Sequence, residues 1–143
     1  MDLMALTFWL LTAGGGFYMM GIATRTGNDA SAATDSNLPT AVIFTHMALA
    51  VAGLGVWALF MGNNEDALAW GALGTLLVVA ALGAFMFLRW KKDRRGSEAE
   101  VAARRERLAE QQIPSAAVMV HGITAFATIV LVLLAALQIG NSP

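Results

Sequence analysis

The chain contains two histidines, His46 and His121, and both stand inside long uncharged apolar stretches. Each lies seven residues past a proline, in P-T-A-V-I-F-T-H from Pro39 and P-S-A-A-V-M-V-H from Pro114. A neutral imidazole can carry a proton or ligate a metal, and it is a common ligand of haem iron. Ionisable groups in apolar segments are functional candidates because burying them without partners is costly. The bland alternative is that each ring bonds a nearby hydroxyl or carbonyl and merely joins helices. One histidine at one distance from a matched Pro-Thr/Ser-Ala start, twice over, favours a shared site.

Hydropathy gives the elements that must position these rings. Of 143 residues, 57% are hydrophobic and 13% charged, about half the charged share of a soluble domain. Mean hydropathy is +0.63. Crossing roughly 30 Å of hydrocarbon takes about 20 apolar residues. Four stretches qualify, Leu3 to Ala23, Thr40 to Met61, Ala67 to Leu88 and Ser115 to Ile139, none with an interior charge. The first follows Asp2 and lacks a basic leader, so it reads as a retained helix rather than a signal peptide. The sequence therefore predicts an all-α fold, a single integral membrane domain over residues 1–143. It would be a four-transmembrane-helix bundle of two tandem helical hairpins, related by a pseudo-two-fold axis along the membrane normal.

Three connections separate the helices. Residues 24–38 are polar and aperiodic, so they read as a loop. Gly62 to Asp66 reads as a tight turn that makes the second and third helices antiparallel neighbours. The stretch from Trp90 to Ile113 is strongly charged, and Ser97 followed by Glu100 has the form of a capping box opening a helix over about 98–111. With only Val101 and Leu108 as an apolar edge, that helix is expected at the membrane surface or projecting into water. All nine basic residues fall on the side of residues 24–38 and 90–113. The positive-inside rule makes that side cytoplasmic, with both termini outside and the chain in the inner (plasma) membrane.

Seven residues at 1.5 Å rise put each histidine about 10 Å in from its proline, on helices running the same way. The two imidazoles can then face each other and ligate one haem iron, as facing helices of bundles do. Small residues would admit the macrocycle: Leu49, Ala50 and Gly53 follow on the face of His46, and Val118, Thr124, Ala125 and Thr128 lie along that of His121. Gly53 and Thr124 are the expected cofactor contacts beside the ligands. Gly14, Gly15 and Gly16 permit close approach of a helix or a ring. Five of eight methionines (Met19, Met20, Met47, Met86, Met119) lie toward the same ends, which would suit copper, although methionine more often fills core gaps. Trp9, Trp57, Trp70 and Trp90, with Tyr18, are expected as interfacial anchors, and Trp90 could frame a quinone headgroup.

The absence of cysteine removes disulfides, thiolate metal sites and covalent haem attachment. There is no nucleophile triad, phosphate loop or basic-aromatic nucleic-acid surface. At the level of architecture, four crossings with His46 and His121 resemble the small membrane b-type cytochromes and the haem-bearing anchor subunits of respiratory dehydrogenases. That resemblance implies one bis-histidine haem b, possible contact with quinone, and assembly as a homo-oligomer or with other membrane subunits. Diheme members carry two histidines per ligand helix, whereas each helix here has one. A non-catalytic accessory or scaffold subunit is the competing reading, with copper handling third.

Overall fold

The computed structural model describes residues 1–28 and 36–137, with the side chains of residues 25–28 and of Arg107 left out. It is helical: α1 (Asp2–Asn28), α2 (Thr40–Asn63), α3 (Asp66–Asp93), α4 (Glu98–Arg107), a 3₁₀ turn (Ala109–Gln112) and α5 (Ser115–Ala136). Helices α1, α2, α3 and α5 are each long and apolar enough to cross a membrane. The expected end of the fourth span at Ile139, and residues 29–35 of the expected loop, lie outside the described residues.

Local chemistry sets the helix ends. Pro39 and Pro114 stand at the N-caps of α2 and α5, in extended conformation, and their carbonyls accept the first helical N–H groups, Val42 and Ile43 from Pro39, Ala117 and Val118 from Pro114. α2 stops where Asn64 turns left-handed (φ 56) and donates its N–H to the Phe60 carbonyl at 2.7 Å, an αL cap. Asp66 then opens α3, its charge suited to a helix N-terminus. α3 runs past the apolar stretch to Asp93 with Lys91 and Lys92 in its last turn, where positive charge complements the dipole. The capping box at α4 is complete, with both reciprocal bonds between Ser97 and Glu100. α4 ends at Arg107, four residues before the expected Gln111, because Leu108 turns to extended backbone (φ −101, ψ 118) and buries its side chain.

α1 packs chiefly on α5, and α2 on α3. α3 also runs along α5, whereas α1 and α2 touch only briefly. The buried core sits at the end holding the α2–α3 turn: Ala5, Trp9, Trp57, Phe60, Ala69, Ala72, Leu73, Leu76, Val132 and Ala135. Trp9 and Trp57 are thus core residues, and the anchoring role expected of them is corrected. Their ring centres lie 6.5 Å apart, and Trp57 meets Phe60 in a tilted contact at 4.8 Å. Hydropathy could not separate them from anchors, because both places are near helix ends. Trp90 is also buried, between Phe87 and the Arg94 guanidinium, which lies 4.1 Å over its ring. Trp70 is 48% exposed.

The other end of the bundle is differently built. No side chain in 13–24, 40–52, 80–89 or 115–127 is buried. It is bounded by Val79 and Thr128 on one side and by Trp90 and the 3₁₀ turn on the other. Both histidines lie in this half.

Candidate haem-ligand site

His46 on α2 and His121 on α5 are brought together. Their ring centres are 6.4 Å apart and their planes are inclined by 52°. Each ring is partly buried and anchored through Nδ1 to a helix it packs against. His46 Nδ1 lies 3.0 Å from the Val79 carbonyl of α3, and His121 Nδ1 lies 2.9 Å from the Thr12 carbonyl of α1. A carbonyl oxygen only accepts, so in both rings Nδ1 carries the hydrogen and donates. The neutral ring then keeps its lone pair on Nε2. Neither Nε2 has a hydrogen-bond partner among the described residues.

A bond of this kind fixes the tautomer and orientation of the ring, as it does in ligating histidines, and it joins helices equally well. A metal held by two imidazole nitrogens at about 2.0–2.1 Å each, with each nitrogen roughly 1.1 Å from its ring centre, needs centres about 6.3 Å apart. The two ring centres stand 6.4 Å apart, close to that separation. No group of three or more His, Cys, Asp or Glu side chains able to hold a metal ion occurs among the described residues.

Glycines line the rings on the Nδ1 side. A Cβ on Gly83 would stand 3.2 Å from His46 Cε1, and one on Gly16 would stand 3.4 Å from His121 Cε1. Gly15 is 3.5 Å from His121 Nδ1 by the same measure, while Gly14 and Gly122 face open space. The other expected contacts sit elsewhere. Gly53 lies under Trp9 and Thr75 in the buried core, and the Thr124 hydroxyl donates to the Val120 and His121 carbonyls of its own helix. Sequence reasoning missed Gly83 entirely. The signal was a glycine on each helix opposite a histidine, which needs the helix pairing to be read.

At the loop end, Arg94 donates to Gln111 Oε1 and to the Gln111 and Ile113 carbonyls while covering Trp90. Desolvation, and then the neighbouring Arg105 charge, lower its pKa from the usual arginine value. Trp90 is thus occupied by Phe87 and Arg94, the two groups packed on its ring.

No protein-family model, curated protein or solved structure matches this chain.

Proposed function

We propose that the protein is a membrane b-type cytochrome that holds one haem between His46 and His121 and passes electrons to or from quinone or a partner subunit. One observation carries the reading: two imidazoles with ring centres 6.4 Å apart, each with Nδ1–H tied to a helix carbonyl and Nε2 left unpartnered. The partly exposed helix faces of this half of the bundle, set against the packed core at the other end, supply room beside the rings. Haem would contribute reversible one-electron chemistry. The chain's own part is to orient two imidazoles, fix their tautomer and keep charged side chains away from the site.

The pairing of α1 with α5 and α2 with α3 fits two hairpins related by a two-fold axis along the membrane normal, since exchanging the halves maps one pair onto the other. The bond from His46 to α3 then corresponds to the bond from His121 to α1. Placing the basic loop side in the cytoplasm by the positive-inside rule puts the haem in the cytoplasmic half of the inner membrane. Assembly as a homo-oligomer or with other membrane subunits would complete an electron path longer than one haem spans.

A second reading rests on the same two hydrogen bonds, which join α2 to α3 and α5 to α1 and would serve a colourless scaffold subunit. An absorption spectrum of the detergent-solubilised protein separates them. The cytochrome shows a Soret band and a reducible α band, both lost in His46→Ala and in His121→Ala. A colourless, fully helical protein that takes up no added haem overturns the proposal.

A further inference from the structure

The two imidazoles are received by the same local device, and that device contains a glycine at a fixed place. His121 donates to the carbonyl of Thr12, and four residues on stands Gly16; His46 donates to the carbonyl of Val79, and four residues on stands Gly83. In an α-helix the carbonyl of residue i faces the N–H of residue i+4. The side chain at i+4 leans back toward the N-terminus, over that same carbonyl. This chain demonstrates the lean repeatedly. Thr7, Thr12, Thr24, Thr75, Thr124 and Thr128 each donate a hydroxyl to the carbonyl four residues before, at 2.7–3.0 Å. A side chain at i+4 thus occupies the position from which a foreign donor would reach carbonyl i.

We infer that Gly16 and Gly83 are positioning residues: each leaves bare the helix carbonyl that fixes the tautomer and direction of the histidine facing it. The imidazole takes the place that a threonine hydroxyl takes elsewhere in the same helices. A Cβ at Gly83 would press on the ring, at 3.2 Å from His46 Cε1, and one at Gly16 would come into contact with His121 Cε1 at 3.4 Å. Serine would do more, by offering its own hydroxyl to the Val79 or Thr12 carbonyl. The inference concerns how the rings are held. It gains its functional meaning from the haem reading but is tested separately.

The test uses the full chain in detergent, with ¹⁵N-labelled histidine and no haem added, and reads each ring's tautomer from long-range ¹H–¹⁵N correlations. In the wild type both rings are expected as the Nδ1–H form. Gly83→Ser should shift His46 to a mixture of tautomers and leave His121 unchanged, and Gly16→Ser should do the converse. Gly122→Ser, beside His121 but facing open space, should change neither. Where a serine variant does not fold by circular dichroism, Gly83→Ala and Gly16→Ala replace it, with a smaller shift of the same ring. Unchanged tautomers in the glycine variants, or equal changes in both rings, overturn the inference. Haem titration of the same samples keeps the two readings apart. Colourless wild-type protein with both rings locked as Nδ1–H sinks the cytochrome alone, while pigmented protein indifferent to Gly83 and Gly16 sinks this inference alone.

Discussion

Gly53 is the seat of Trp9: a Cβ there would stand 3.1 Å from Trp9 Cζ2 and 3.3 Å from Cη2, with Thr75 Cγ2 at 3.1 Å on the other side. α1, α2 and α3 converge at this point, and little else holds α1 to α2. Gly53→Ala should therefore overpack the core and lower stability by about 1–3 kcal/mol. Thermal unfolding in detergent measures the loss. Because the glycine faces Trp9 and Thr75, any pigment should keep its wild-type band positions.

Trp57 fills the centre of the same core and is fully buried, between Trp9 and Phe60. In a bilayer the unfolded reference is also apolar, so truncation loses packing more than transfer energy. A residual cavity on the order of 100 Å³ at about 24 cal/mol per Å³ gives about 2–3 kcal/mol for Trp57→Ala. Chemical or thermal denaturation with an intact His46–His121 spectrum would show the effect to be confined to the core.

These expectations mark where reading the chain alone stops. Hydropathy placed all four long helices, since lipid-length apolar runs leave few other foldings open. It stopped α1 at Ala23 and α3 at Leu88, whereas the helices continue to Asn28 and Asp93. Polar residues end the apolar stretch without ending the hydrogen-bond ladder, and Lys91 and Lys92 suit a helix C-terminus. The capping box was legible because its signal spans only four residues. The burial of Leu108, Glu110 and Gln111 was not, because it depends on what α1 and α3 present to them. His46 and His121 stood out by type and spacing. Gly83 did not, because its meaning comes from a ring on another helix.

The Ser97–Glu100 box gives α4 a pH dependence. Hydrogen bonds from the Ser97 backbone and then its side chain, with Arg104 nearby, hold the Glu100 carboxyl below the usual carboxylate range. A depressed folded-state pKa means the stabilisation is present above the unfolded value and is lost as pH falls through the folded one. Protection factors of the Glu98–Arg107 amides, taken relative to the intrinsic base-catalysed exchange rate at each pH, should therefore fall on acidification, and Glu100→Gln should remove most of that dependence. Protection factors that stay flat with pH in the wild type would count against the box as the element's anchor.

Arg94 joins the chain after α3 to the approach to α5, through a planar fork that lysine cannot copy. Arg94→Lys should lose two or three charged hydrogen bonds and the cover over Trp90. The expected loss is about 1.5–3 kcal/mol, discounted toward the lower figure because the guanidinium is only part-buried. Faster proteolysis within residues 94–113, with the helices otherwise intact, is the readout.

The distribution of charge makes the orientation directly testable, and the lack of cysteine makes the test clean. Asn63 lies at the α2–α3 turn, where no lysine or arginine stands, whereas exposed Ala102 lies on α4 among Arg94, Arg95, Arg104 and Arg105. The basic side resists translocation, so the two positions should lie on opposite faces of the membrane. In intact cells a membrane-impermeant maleimide should label Asn63→Cys and spare Ala102→Cys, with both labelled after permeabilisation. The reverse pattern would invert the topology and move the histidine pair to the outer half. Labelling of both in intact cells would mean that the four helices do not span as an antiparallel set.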